Sequence, residues 1–299
     1  MRRATKNRSS QLKLYLQLGK FRLCLLVLFT TLVGYALGTS GFYPLEIISL
    51  LIGTLLAAMG ANGLNQCLEQ ARDGRMARTR NRPLPSGKIS FLHAVTATLL
   101  WSSSGVVILY CLVNPLTAYL ALATLASYLL IYTPLKPYSS LAVLAGAIPG
   151  AIPPVMGWTA ATQHFSIEAW GLACLLFLWQ IPHFMSLAAI YRKDYVKGGY
   201  RLLPDNPEIE KVTRSIIVVF SVALLAISLL IPALGLGENL MFVAALVLGI
   251  SLLYLSIKLY QKYSMKNARR VFLASIIYLP ILMLVLLIDE KLLSPYGVF

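Results

Sequence analysis

Apolar residues run for long stretches along this chain, and polar residues gather in the short connections between them. A helix needs about 18 or more apolar residues to cross a bilayer. Nine such runs occur, near 21–38, 45–67, 91–113, 115–132, 140–162, 168–190, 215–234, 239–257 and 271–288. Only Asn114-Pro115 separates the third from the fourth, a pair that reads either as a turn or as a kink in one longer helix, so the count is good to about one. The pattern predicts an all-α polytopic membrane helix bundle of about nine transmembrane helices. No connection is long enough to fold separately, so residues 1–299 read as a single transmembrane domain, with 1–20 as its basic N-terminal segment.

Composition places the chain in the same class, with 58% hydrophobic and 12% charged residues and a mean hydropathy of +0.73. The basic residues add direction. Of 26 lysines and arginines, every one except Lys291 falls in the N-terminal segment or in the second-to-third, fourth-to-fifth, sixth-to-seventh or eighth-to-ninth connection. Loops rich in Lys and Arg stay in the cytoplasm, which predicts a cytoplasmic N-terminus. A wrong span count would scatter these residues over both sides. The formal charge of +15 follows from this topology and suits an anionic lipid surface. Spread over short membrane loops, it does not suit nucleic acid. The first run is long and lacks a small-x-small cleavage site, so it reads as a retained helix rather than a secretory signal. Cys24, Cys67, Cys111 and Cys174 lie singly within runs and read as small apolar packing residues, not as disulfide or zinc partners.

The densest polar stretch, NGLNQCLEQARDGRMARTRNRPLPSG from Asn62 to Gly87, closes the second run. Asn65, Glu69 and Asp73 recur every four residues, which stacks them on one helix face about 6 Å apart. Two carboxylates and an amide supply hard oxygen ligands for a magnesium-type cation, whose other positions go to water and phosphate. The arginines that follow suit the phosphate. A plainer reading pairs Glu69 and Asp73 with Arg72, Arg75 and their neighbours on a wetted surface, but ionisable groups beside membrane spans are functional suspects by default.

Other candidates carry two readings each. Lys136, the one charge in the YTPLKPYSS connection, is either a topology-setting lysine or a phosphate ligand. Asp194 either pairs with Arg192 or Lys193 in solvent or binds metal. His183, in a near-helical series with Trp179, Gln180 and Tyr191, is either a hydrogen-bonded packing residue or a ligand. His93 and His164 read as interfacial. The fifth run, Leu141 to Trp158, is rich in Gly, Ala and Pro. It predicts close helix packing, with Pro153-Pro154 breaking the helix locally and shaping a cavity for a large apolar substrate.

Five ordered segments carry a resemblance: Asn65 to Leu84 with its three polar positions and Met76, Arg78, Thr79, Asn81, Arg82 and Pro83; Tyr132-Thr133 with Lys136; Pro153-Pro154-Val155 with Gly157-Trp158; Trp179 to Phe184; and Asp194-Tyr195 with Gly198-Gly199-Tyr200. In that order, over roughly 62–203, the chain resembles the UbiA-type intramembrane prenyltransferases, and within them the haem-modifying branch. The resemblance implies transfer of a farnesyl group from farnesyl diphosphate to a vinyl group of haem B, with addition of water, giving haem O. It implies Mg²⁺ held by Asn65, Glu69, Asp73 and Asp194, which are also the expected catalytic residues. It places Arg78, Arg82, Lys136, Lys193 and Lys197 on the diphosphate, and Tyr132, Trp179 and His183 in the prenyl and haem pocket, with His183 touching haem. The vinyl group is then the nucleophile, so no Ser, Cys or Lys nucleophile is needed.

Two departures accompany the likeness. Glu69 stands where many members carry Asp, which keeps the charge and lengthens its reach. Ile190 occupies the position four before Asp194, so the second acidic motif is incomplete and Arg192, Lys193 or Lys197 is expected to carry part of its load. Implied partners are farnesyl diphosphate, haem B, the lipid bilayer, and haem A synthase or terminal oxidase assembly factors. The implied location is the bacterial cytoplasmic membrane with the active face toward the cytoplasm, the mitochondrial inner membrane being the second reading. Competing functions are prenyl transfer to another acceptor, such as an aromatic acid or quinone precursor, and a small polytopic transporter. A transporter would favour broken helices with midplane charges, whereas these charges gather at one membrane face.

Overall fold

The computed structural model describes residues 11–39, 41–201 and 207–293. Arg2, Arg3, Lys6 and Arg8 of the basic segment, and positions 202–203 at the end of the resemblance, lie outside these residues. Among the described residues the chain is helical without strands, and nine helices are long and apolar enough to cross a membrane. They are α1 (Phe21–Gly38), α2 (Pro44–Leu68), α3 (Phe91–Leu112), α4 (Pro115–Ala126), α5 (Ala142–Thr162), α6 (Ile167–Ile190), α7 (Pro207–Leu230), α8 (Asn239–Gln261) and α9 (Met265–Ile288). Helix α4 runs on through a π-helical turn, Ser127–Tyr132, and a last turn, Thr133–Leu135. The protein is thus a multi-pass membrane bundle.

Asn114-Pro115 is a turn between two helices. Asn114 is extended, caps α4 by accepting from the Thr117 N–H at 2.9 Å, and donates to the Thr159 carbonyl of α5 at 2.9 Å. An Asn cap followed by Pro at the first helical position starts a helix cleanly.

Helix α5 is the hub. It packs on α1, α4 and α6, while α6 also packs on α7 and α9, joining α1–α5 to α6–α9. The expected break at Pro153-Pro154 is absent: α5 continues through Pro149, Pro153 and Pro154 to Thr162. Proline removes an N–H and crowds the preceding turn, and inside a membrane bundle such a helix survives when close neighbours support it. The neighbour is α1, which approaches backbone to backbone. A Cβ on Gly157 would lie 1.9 Å from the Thr31 carbonyl oxygen, and one on Gly34 would lie 2.0 Å from that of Pro154.

Several polar side chains inside the bundle satisfy one another, which hydrocarbon favours. Ser228 meets the Tyr278 hydroxyl at 2.7 Å, and Ser221 meets Ser256 at 2.9 Å. At the end away from Lys20 and Lys136, Lys291 donates to the Thr39 carbonyl at 2.9 Å, and Asp289 accepts from the Met241 N–H at 2.8 Å. Cys24 and Cys67 are buried as expected. Cys111 and Cys174 are instead exposed on the outer faces of α3 and α6, where an apolar thiol suits lipid.

Because the α1–α5 crossing has no room for a side chain, Gly157→Ala should destabilise the bundle by about 1–3 kcal/mol. A melting curve of the detergent-solubilised protein reads this directly, and an unchanged midpoint would contradict so close an approach.

Candidate active site

Helix α2 ends earlier than a continuous acidic face requires. Its backbone leaves helical geometry at Glu69 (φ −98°, ψ 5°), and a separate turn, Gln70–Asp73, follows. Asn65, Glu69 and Asp73 are nonetheless all buried, with exposures of 1%, 5% and 1%. Buried charges need partners. Glu69 Oε1 accepts from Lys136 Nζ at 2.8 Å, and Asp73 Oδ2 accepts from Arg82 Nη1 at 2.5 Å. Asp73 thus takes a neighbour of Arg72 and Arg75, as the plainer reading allows, but both acids are buried rather than on a wetted surface.

Local sequence brings both cations home. The segment after Asp73 folds back through successive turns, with Thr79 Oγ1 donating to the Asp73 carbonyl at 2.8 Å. Met76 and Leu84 are buried apolar plugs within it. Lys136 follows the π-helical turn of α4, where Thr133 donates to the Tyr128 carbonyl at 2.8 Å and accepts from Asn65 Nδ2 at 3.0 Å. The ammonium lies 4.2 Å from the Tyr132 ring centre and 6.0 Å from that of Tyr200, and the Lys136 carbonyl accepts from the Arg201 N–H at 3.1 Å. Burial opposes charge on Lys136, but Tyr132 and Glu69 beside it outweigh burial and hold it well above the usual lysine range.

Sequence reasoning missed two members of this cluster. Lys20, counted only toward topology, sits at the entry to α1 in the left-handed region (φ 51°, ψ 48°), a conformation that costs a non-glycine residue about 1 kcal/mol. Its Nζ donates to Asn65 Oδ1 at 3.4 Å. Burial, with Arg82 and Lys136 close by, pulls it down to about 7. Gln66 fixes the preceding segment by donating to the carbonyls of Gln17 at 3.1 Å and Leu18 at 2.5 Å. Tyr200 is the second. Its hydroxyl is buried beside Glu69 with no hydrogen bond of ordinary geometry among the described residues, and burial followed by Glu69 pushes it above the usual tyrosine range. The Gly-Gly-Tyr spacing was a signal for Tyr200, since Gly199 takes a positive φ of 74° to turn it inward. No local pattern marks Lys20.

The second connection meets the first at Arg78. Asp194, on the short helix Arg192–Lys197, accepts from the Arg78 backbone N–H at 3.2 Å. The Arg78 guanidinium lies 5.1 Å from the Tyr191 ring centre and 5.7 Å from that of Tyr195. Lys193 and Lys197 stay exposed on that helix. Trp179 and His183 pack against α9: Trp179 Nε1 donates to the Ser275 carbonyl at 2.7 Å, and His183 Nδ1 lies 2.9 Å from Ser275 Oγ. No hydrogen bond or ion pair among the described residues joins them to the carboxylates.

Arg82 and Lys136 pair with Asp73 and Glu69, Lys20 reaches Asn65, and Asp194 holds the Arg78 backbone, which brings together basic groups of the kind that suit a polyanion. Among the described residues no three acidic, His or Cys side chains form a complete metal cage. The partial oxygen set of Asn65, Glu69 and Asp73 fits Mg²⁺, which typically keeps positions for water and phosphate oxygens.

The profile of the UbiA prenyltransferase family matches residues 27–279. A protoheme IX farnesyltransferase of Solibacter usitatus is 38% identical over 287 residues, covering 92% of this chain and 98% of that protein. One of Koribacter versatilis is 38% identical over 296 residues, covering 95% of each. Among solved structures, digeranylgeranylglyceryl phosphate synthase superposes with a TM-score of 0.79 at 17% identity, over 94% of this chain and 98% of the other. A UbiA homologue from Archaeoglobus fulgidus bound to GPP and Mg²⁺ gives 0.59 at 13%, over 91% and 99%. At these identities the superpositions speak for the fold, and the sequence matches speak for kinship: the chain belongs to the UbiA prenyltransferase family.

Proposed function

We propose that this protein transfers the farnesyl group of farnesyl diphosphate to a vinyl group of haem B, with addition of water, giving haem O, in a Mg²⁺-dependent reaction. The observation that carries the prenyl-transfer chemistry is the cluster of two buried carboxylates, each held by a cation, at the end of an apolar bundle. The choice of haem as acceptor is supported by the curated relatives, which are 38% identical over more than nine-tenths of the chain. The basic residues favour a cytoplasmic active face in a bacterial cytoplasmic membrane, with the product passing to haem A synthase or to terminal oxidase assembly.

Asn65, Glu69 and Asp73 hold the metal, which when bound neutralises charge on the departing diphosphate. Lys136 and Arg82, which pair with Glu69 and Asp73, would donate to phosphate oxygens, joined by Arg78 and Lys20. The buried Tyr200 hydroxyl beside Glu69 adds a neutral donor, and Asp194 holds the Arg78 backbone in place. Lys193 and Lys197 stand at the rim and draw the anion in. Departure of diphosphate leaves an allylic cation at C1 of the farnesyl chain, which the Tyr132 ring face stabilises in a water-poor pocket. The vinyl π electrons form the new C–C bond at C1. The cation that results on the porphyrin side-chain carbon takes up water and loses a proton.

Purified protein incubated with haem B, farnesyl diphosphate and Mg²⁺ should yield farnesylated, hydrated haem by mass spectrometry. Asp73→Ala or removal of Mg²⁺ should lower the yield at least about a hundredfold. Farnesyl transfer to a different acceptor with no haem product would retire the haem assignment. The ion pairs make a separate prediction. Lys136→Met strands the Glu69 charge and should cost about 3–5 kcal/mol of stability, whereas Lys136→Met/Glu69→Gln should regain most of that stability without regaining activity. Equal melting of single and double variants would mean that Glu69 is not a buried charge.

A further inference from the structure

Resting on the haem reading above, we propose that Ser275 is a positioning residue that fixes His183 in the tautomer whose Nε2 lone pair faces the iron of the porphyrin acceptor. Ser275 is fully buried on α9. A serine hydroxyl has one proton to give, and that of Ser275 goes to the Phe272 carbonyl, 2.7 Å away. Its remaining contact, His183 Nδ1 at 2.9 Å, must then be a donor. A neutral imidazole that carries its proton on Nδ1 has an unprotonated Nε2. That atom makes no hydrogen bond among the described residues, and it is not among the polar atoms sealed in without a partner. It is therefore an open lone pair within a membrane helix.

The direction of the lone pair is held as firmly as its chemistry. The imidazole is stacked between Trp179 and Phe272, 4.9 Å from each ring centre, with interplanar angles of 20° and 29°. Trp179 is itself pinned by its indole N–H to the Ser275 carbonyl at 2.7 Å. One residue of α9 thus anchors both rings of α6, through its hydroxyl and its backbone. An anchored N–H on one ring nitrogen with a free lone pair on the other is the arrangement of a metal-ligating histidine. Coordination of Nε2 to iron makes one dative bond and changes no oxidation state. It would hold the macrocycle at a fixed distance from α6 and so set where its vinyl edge lies.

The test titrates haem B, and separately iron-free protoporphyrin IX, into the full-length protein in detergent, and records Soret absorption and electron paramagnetic resonance. Wild type should show imidazole-ligated iron. His183→Ala should lose that signature, and added imidazole should restore it. Ser275→Ala should weaken haem affinity about 10–100-fold, with Ser275→Thr, which keeps the hydroxyl, close to wild type. All should bind protoporphyrin IX alike, which shows that the variants are folded. An unchanged spectrum in His183→Ala, or parallel loss of both porphyrins in Ser275→Ala, would overturn the proposal. Haem O formation by wild type with no imidazole signature would sink this inference alone, while failure of wild type to bind haem B would sink the haem reading with it.

Discussion

Glu69 and Asp73 are all but sealed from solvent where α2 leaves the apolar layer, and a carboxylate in that position without a partner would cost several kcal/mol. Lys136 and Arg82 meet the need at 2.8 and 2.5 Å, and much of the surrounding architecture serves to deliver them. Helix α4 widens into a π-helical turn and stops so that Lys136 can point inward. The segment after Asp73 doubles back on the plugs Met76 and Leu84 so that Arg82 can return to it. The stretch around Tyr200 is tied on by the bond from the Arg201 N–H to the Lys136 carbonyl. In the proposed reaction these pairs would be redistributed, since a metal and a diphosphate would offer each member a stronger partner of the right sign.

The remainder of the bundle supplies rigidity and dryness. Gly34 and Gly157 let α1 and α5 touch backbone to backbone. Van der Waals contact of this kind holds helices together where the surrounding lipid is as apolar as the helices themselves. Helix α5 then carries the contact onward to α6, whose Gln180 donates to the Ala147 carbonyl at 3.2 Å. The charge cluster and the Trp179–His183 stack therefore sit on a common support, although among the described residues no side-chain bond connects them.

Much of the fold was legible in the sequence because the length of a membrane span leaves little freedom: nine apolar runs correspond to nine candidate spanning helices among the described residues. Their ends were less legible. Helices α7 and α9 begin at Pro207 and Met265, several residues before the apolar runs at 215 and 271, because charged first turns are helical too and hydropathy registers only what lies in lipid. The continuity of α5 through two adjacent prolines depends on α1, which no local pattern shows. For the site, Asn65, Glu69 and Asp73 are all buried, although the single helix that their four-residue spacing predicts ends at Leu68. The pairing of Glu69 with a lysine 67 residues away, and the turn of Lys20 toward Asn65, are tertiary facts. Arg72 and Arg75 were nearer in sequence and lost to partners that the fold brings closer.

The most direct measurement is an experimental structure of the protein with Mg²⁺ and farnesyl S-thiolodiphosphate, an analogue that resists ionisation. The expected result has Asn65, Glu69 and Asp73 on the metal side of the diphosphate, with Lys136 and Arg82 withdrawn from the carboxylates and donating to phosphate oxygens. Both ion pairs intact, with the diphosphate bound elsewhere in the bundle, would contradict the central claim that this cluster is the prenyl-diphosphate site.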